Sequence, residues 1–219
     1  MHEAAAVSTA NIKTIVYLCL KRLIDIIAGI IGLLILLPIA LVIKIISMCN
    51  GDFHKIIFVQ KRIGKNGKEF DFYKFRSMVP NADEILFKML EEYEEMRKEY
   101  QENKKLKDDP RITKIGKFIR RYSIDELPQL INVLKGDMTL VGNRPYLPRE
   151  KHDMGKYFND IVKTKPGITG YWQVSGRSDV SFKQRLKLEQ YYSNNAGLRM
   201  DITILGKTFG AVFGHKGAK

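Results

Sequence analysis

Hydrophobic and polar residues alternate along this chain in three distinct rhythms. Residues 26–43 contain no charged side chain. As one straight helix this run rises roughly 27 Å, close to the hydrocarbon thickness of a bilayer. Residues 53–75 follow a period of two. Ile56 and Phe58, then Phe70 and Phe72, alternate with other residues, and Gly64-Lys65-Asn66-Gly67 supplies a turn between them. This predicts a β-hairpin. Beyond Met78 the rhythm becomes helical. Leu86, Met89 or Leu90, Tyr93, Met96 and Tyr100 fall on one face of a helix capped by Asn81 or Asp83 and ending near residue 105. Its other face is rich in Glu and Lys, as in an amphipathic helix packed on its own domain; a homodimer contact is the alternative reading. Residues 115–121, 126–134 and 182–193 read as further helices. Residues 200–212 are apolar enough to lie on a membrane surface.

The apolar run has cations on both sides: Lys13, Lys21 and Arg22 before it, Lys44, Lys55, Lys61 and Arg62 after it. Positive charge favours the cytoplasmic side, so both ends are drawn to one face. A spanning helix cannot satisfy that, whereas a re-entrant helix can. Pro38 removes a backbone hydrogen bond and places a bend at Leu37-Pro38. A plain single span with a tolerated proline remains open on pattern alone. No small-residue cleavage site follows, so the run does not read as a signal peptide. The predicted fold class is α+β and mainly helical. Residues 1–20 form an N-terminal extension or interfacial segment, 21–48 the membrane helix, and 49–219 a cytoplasmic catalytic domain with a short hairpin or sheet and interfacial helices. No repeat, low-complexity tract or domain linker interrupts it.

Charge narrows the partners. The 219 residues carry 37 Lys and Arg against 24 Asp and Glu, a net charge of +13. Such an excess suits nucleic acid, an acidic membrane face or phosphorylated substrates. The aromatics are not interleaved with a base-reading pattern, which argues against nucleic acid. Cys19 and Cys49 flank the apolar run and form no disulfide framework, in keeping with a reducing compartment. The four histidines show no metal-ligand spacing, and no Walker loop, dinucleotide fingerprint or serine-nucleophile elbow is present.

Candidate chemistry centres on Asp125-Glu126, which follows Arg120 and Arg121 and precedes Leu127-Pro128-Gln129. Two adjacent carboxylates beside cations suit attack on a phosphate ester, one as nucleophile and one as metal ligand. Several arginines sit next to Gly or Pro in turn-rich segments, among them Asp109-Pro110-Arg111 and Gly142-Asn143-Arg144-Pro145. Loops of that kind aim a guanidinium fork at an anion, and glycine lets the backbone approach. Trp172, the one tryptophan, lies among Gly170, Gln173 and Gly176 and is placed either to stack on a base or sugar or to pack at a core or membrane interface.

Together these segments resemble the bacterial sugar transferases, the monotopic polyprenyl-phosphate phosphoglycosyl transferases. The resemblance runs from about Lys21 to the C-terminus. It is carried by Lys21-Arg22 and the apolar run, Phe72-Tyr73-Lys74-Phe75-Arg76-Ser77-Met78, Asp125-Glu126-Leu127-Pro128-Gln129, Asn132-Val133-Leu134-Lys135-Gly136-Asp137-Met138, Val141-Gly142-Asn143-Arg144-Pro145, and Pro166-Gly167-Ile168-Thr169-Gly170 with Gly176-Arg177. It implies transfer of a sugar-1-phosphate from a UDP-sugar to undecaprenyl phosphate with release of UMP. It implies a re-entrant helix at the cytoplasmic face of the inner membrane, in contact with the lipids of one leaflet. By the family pattern Asp125 is the nucleophile and Glu126 holds Mg²⁺. Arg120 and Arg144 are expected to cradle phosphate, with Lys74, Arg76 and Arg111 beside them. Gly167, Trp172, Gln173, Gly176 and Arg177 are expected to form a nucleotide-sugar loop. Two departures stand out. The family's Ser-Pro bend is Leu37-Pro38 here, and its Gly-Pro-Arg-Pro is Gly142-Asn143-Arg144-Pro145, which questions the stiffness of that loop. A membrane-tethered phosphohydrolase working through an aspartyl phosphate is the rival enzyme, and a membrane-anchored basic nucleic-acid-binding protein the rival outside enzymes.

Overall fold

The computed structural model describes residues 2–103, 106–176 and 180–213. The chain opens on one uninterrupted helix, α1 (His2–Cys49), with Pro38 inside it. At 1.5 Å per residue it is about 70 Å long, more than twice a hydrocarbon core. The segments expected at 1–20 and 21–48 are therefore one element, and the helix continues through Leu37 and Pro38. Ile30, Leu34, Leu37, Leu41 and Ile45 recur every three or four residues and are each more than half exposed. Behind that stripe Leu36 and Ile43 are buried. Among the described residues α1 is the one helix long and apolar enough to cross a membrane.

The hairpin forms as its alternation predicts. Strands β1 (Ile57–Ile63) and β2 (Glu69–Phe75) pair antiparallel, with Ile57 opposite Phe75 and Ile63 opposite Glu69. Asn66 and Gly67, at φ 58° and 77°, turn the chain through the left-handed region. The long helix expected after Met78 is two helices, α2 (Ala82–Glu92) and α3 (Glu94–Asn103), split by an extended Tyr93. A continuous helix would stack Glu91 on Glu94 and Glu95, which repel. The break instead puts Glu94 and Glu95 at a helix N-terminus, where anions are favoured. The expected apolar face divides accordingly: Leu86 is buried and Tyr93 exposed.

Downstream lie α4 (Lys114–Arg121), α5 (Gln129–Lys135), β3 (Thr139–Val141), α6 (Lys151–Met154), α7 (Phe158–Ile161), β4 (Gly167–Thr169), α8 (Tyr171–Ser175), α9 (Phe182–Asn195) and α10 (Leu198–Phe213). Strands β3 and β4 pair in parallel. Three-residue strands carry too little alternation to be read from sequence. The close approach that makes them is visible at Gly167, where an added Cβ would stand 2.0 Å from Gly142 N. Gly167 is thus a packing glycine of this small sheet rather than part of an open loop.

The first helix is fastened to the domain behind it. Gly29 and Gly32 let α5 approach so closely that a Cβ would meet Leu134 Cδ2 at 2.6 Å and Leu130 Cδ1 at 2.4 Å. Arg22 donates to the Val133 and Leu134 carbonyls at 2.6 and 2.8 Å, satisfying the end of α5. Asp25, buried, accepts from Thr139 Oγ1 and Leu140 N at 3.0 and 2.8 Å. Lys21 donates to Val141 O at 2.7 Å and pairs with Asp201 of α10. Lys21 and Arg22 are therefore committed inside the protein, and not only flanking charges. Further along α1, Leu36 and Ile43 pack with Phe75 of β2 and Ile119 of α4. A separate cluster of Ile63, Tyr146, Met154, Ile161 and Leu186 contains no residue of α1.

Candidate active site

Asp125 and Glu126 lie on a tight turn between α4 and α5. Thr113 caps α4, its Oγ1 accepting from Gly116 N at 2.9 Å, and the helix runs to Arg121. Ser123 then takes a left-handed conformation, φ 54°, and the chain makes a single 3₁₀ turn over Ile124–Glu126. Ile124 and Leu127 on either side of the pair pack onto the cluster holding Leu36 and Ile43. The two carboxylates are thereby held against the flank of the apolar helix.

Lys74 of β2 faces both acids. Its Nζ is 3.7 Å from Asp125 Oδ2 and 3.5 Å from Glu126 Oε1. The strand is pinned there by Asn132 of α5, fully buried, which accepts from Tyr73 N at 3.1 Å and donates to Asp71 O at 2.6 Å. Asn132 belongs to a recognisable motif, yet only the fold shows what it does. Arg120 donates from Nε to Ser77 Oγ at 2.8 Å, and its guanidinium lies within electrostatic range of Asp125. Burial pushes the Asp125 carboxyl above the ordinary carboxylate range, Lys74 and Arg120 pull it back, and Glu126 pushes it up again. A nucleophilic carboxylate must be ionised, so these two cations work against the cost of burying it.

Arg76 and Arg111 are not turned toward the pair. Arg76 grips Asp52 with Nη2 at 2.6 and 2.8 Å and donates from Nε to Lys55 O at 2.9 Å, closing the chain behind α1. Arg111, buried, forms a forked pair with Asp109 at 2.8 and 2.5 Å and donates to Ala82 O at 3.0 Å. Their donors are spent on protein acceptors, so their part in the site is structural.

Arg144 sits in a second cluster. The 142–146 loop is held on all sides: Ile63 N donates to Tyr146 O at 2.8 Å, Arg62 Nη1 to Pro145 O at 3.0 Å, Gly167 N to Asn143 O at 2.8 Å and Arg144 N to Glu189 Oε1 at 3.3 Å. Asn143, where a proline was the family expectation, is 3% exposed and donates to Ile161 O at 3.1 Å and Ser193 Oγ at 2.6 Å. Hydrogen bonds supply the stiffness that a ring would have supplied. The Arg144 guanidinium lies 5.9 Å from the Trp172 ring and that of Arg185 4.3 Å from it. Two guanidinium groups thus flank the Trp172 ring. Gln173 donates to Ile168 O at 3.0 Å, and Gly176 ends α8. Arg177 lies outside the described residues.

The two clusters meet at one ring. Lys74 Nζ is 5.6 Å and Arg62 Cζ 5.2 Å from the Phe72 centroid. Arg62 entered the sequence reading only as a cation flanking the apolar run, and Arg185 only as part of the helix expected over 182–193; neither was expected at the site. The chemistry of the acid pair, a buried Asp125 beside a Glu126 side chain one third exposed, supplies hard carboxylate oxygens of the kind Mg²⁺ takes, one or two together with substrate phosphate.

A family model described as bacterial sugar transferase matches residues 16–215. The chain is 46% identical over 202 residues to a UDP-galactose-lipid carrier transferase of Erwinia amylovora, covering 91% of this chain and 41% of that protein. It is 45% identical over 202 residues to an undecaprenyl-phosphate galactose phosphotransferase of Salmonella typhimurium, again over 91% and 41%. The exopolysaccharide production protein ExoY of Rhizobium meliloti is 36% identical over 200 residues, 90% of this chain and 87% of that one. The chain spans about two fifths of the length of the first two relatives.

Proposed function

We propose, from the premise that this chain belongs to the bacterial sugar transferase family, that it moves a hexose-1-phosphate from a UDP-sugar to undecaprenyl phosphate in surface-polysaccharide assembly. The relatives named for galactose favour a galactose or glucose donor. The observation that carries the reading is the near-buried Asp125 carboxylate, 3.7 Å from Lys74 and set against the apolar flank of α1.

An Asp125 oxygen attacks the phosphorus that bears the sugar. The bond from that phosphorus to the bridging oxygen breaks, and UMP leaves with the electron pair. A phosphate oxygen of the lipid then attacks the same phosphorus, and the bond to Asp125 breaks, restoring the carboxylate and leaving a sugar diphospholipid. Lys74 and Arg120 keep Asp125 ionised and neutralise the phosphoryl oxygens as charge shifts toward the leaving group. Glu126 is the residue to hold Mg²⁺, which when bound offsets charge on the diphosphate. The apolar segment of α1, with Leu37-Pro38 inside it, enters the lipid from the cytoplasmic side and holds the carboxylate at the interface, where a soluble donor and a lipid phosphate both reach it.

Mass spectrometry of enzyme quenched during turnover tests the reading. The peptide containing Asp125 is expected to carry a sugar phosphate, and Asp125→Asn to lose both adduct and lipid product. Lipid product formed with an unmodified peptide would overturn it. Radiolabel released to water instead of extracted with lipid would favour the phosphohydrolase.

A further inference from the structure

Helices α2 and α3 form an acidic arm on a basic chain. Residues 82–103 hold eight Asp and Glu against three Lys and Arg, whereas the whole chain carries a net charge of +13. Phe87 and Tyr93 on the arm are 56% and 49% exposed, beside the exposed Glu91, Glu92, Glu94 and Glu95. Among the described residues Glu84, Glu91 and Glu95 form no ion pair. Next to the arm lies its electrostatic opposite. Pro148, Arg149, Lys151, His152, Gly155 and Phe158 line an open cleft of about 460 Å³, with no acidic side chain among them. Lys151 Nζ stands 4.9 Å from the centre of the Phe158 ring. Arg149 is the seam between the two surfaces. Its Nη2 lies 3.8 Å from Asp83 Oδ1 of α2 and donates to Tyr100 Oη of α3 at 3.3 Å.

We infer that this patch is a homodimer interface, in which the α2–α3 arm of one copy lies on the basic cleft of a second copy and the reverse contact forms about the same two-fold axis. An isologous contact needs one surface that is complementary to itself. An acidic half joined edge to edge with a basic half meets that need, because half a turn about the Arg149 seam brings arm onto cleft twice. Phe87 and Tyr93 on the arm and Phe158 in the cleft bring the aromatic surface that interface centres favour. Residues 82–103 with the cleft fall within the roughly 20–30 residues a side of a stable interface. The acidic half also selects the occupant. A lipid headgroup layer or a nucleic acid drawn to the cleft would meet the carboxylates of Glu91 to Glu95 beside it. Met154 and Phe158 pack in the cluster to which α1 contributes no residue, so a second copy reaches the patch without displacing the apolar helix. The contact is independent of the transfer chemistry, since neither Asp125, Glu126 nor Lys74 takes part.

Analytical ultracentrifugation of the full chain in detergent micelles tests the interface. A dimer is expected at low salt, and raising salt from about 0.05 to about 0.5 M is expected to shift it toward monomer, since exposed charges are screened. Glu91→Lys with Glu95→Lys is expected to raise the dimer Kd by about a hundredfold, because like charges then meet across the contact. Adding Lys151→Glu and His152→Glu to that same chain restores opposite signs and is expected to recover most of the dimer. All four side chains are exposed. Should a variant fail to fold, the salt titration of the unmodified chain carries the test. A monomer at every concentration and salt overturns the interface. A dimer indifferent to salt and to charge reversal also overturns it, and places the contact on another surface. Loss of the dimer in the double variant without recovery in the fourfold one overturns the pairing of arm with cleft.

Discussion

The Lys74 ammonium lies 3.7 Å from the Asp125 carboxylate and joins a strand of the hairpin to the turn between α4 and α5. Because Asp125 is buried and its carboxyl pushed up, Lys74 sustains the ionised form. Lys74→Met is expected to lower kcat/KM by about a hundredfold, as for loss of one preorganised electrostatic contact. It should also move the acid limb of the pH–rate profile to higher pH, since a carboxyl raised further needs more alkaline solution to ionise. A limb that stays in place would mean that Lys74 does not touch the titration of Asp125.

Glu126 is a third exposed, and its Oε1 lies 3.5 Å from Lys74 Nζ. Glu126→Gln is expected to raise the Mg²⁺ concentration for half-maximal turnover by roughly tenfold or more, through loss of a charged oxygen donor. Titrating metal into both proteins at saturating donor measures it.

Asn143 replaces a stiff residue with hydrogen bonds to Ile161 O and Ser193 Oγ. Asn143→Ala leaves those buried groups without a donor. It should cost about 2 kcal/mol, lowering Tm by about 4–8 °C, and raise the donor KM because the same loop carries Arg144. Thermal unfolding and steady-state kinetics on one preparation separate the two effects.

The pair of Lys21 and Asp201 ties α1 to α10 in a mostly buried setting, with Tyr17 and Tyr192 also donating to Asp201. Lys21→Met alone is expected to destabilise by about 3–5 kcal/mol, because it strands a buried carboxylate. Lys21→Met with Asp201→Asn should cost less than the sum of the two single changes. Protease resistance in micelles follows both.

Glu189 takes its proton more readily in the fold than in the unfolded chain, its pKa rising from 4.5 to about 7 through burial. The folded state then holds more protons across that window, so stability should fall as pH rises from 4.5 to about 7. Glu189→Gln, neutral at every pH, should flatten the slope. Tm measured across the window in both proteins reads it out.

The hairpin, the long apolar helix and the adjacent acid pair were legible from residues alone, for a local reason. Alternation in residues 57–75, an unbroken apolar run and an adjacent Asp-Glu each declare themselves within a few positions. The split at Tyr93 was less legible, because repulsion among Glu91, Glu94 and Glu95 competes with an otherwise helical rhythm. The 143–146 loop read as a weakened proline motif, since the partners of Asn143 lie at Ile161 and Ser193.

By itself the sequence determined where the long apolar helix lies and that two carboxylates stand side by side next to cations, because both follow from the chemistry of neighbours in the chain. The tertiary structure decided which cations serve them. Arg76 and Arg111 were turned to Asp52 and Asp109, Lys74 was brought to Asp125, and Arg62 and Arg185 were gathered round Arg144. A guanidinium or ammonium has the same pattern signature whether it faces protein, solvent or ligand. Only the packing of distant segments fixes which acceptor lies within its reach.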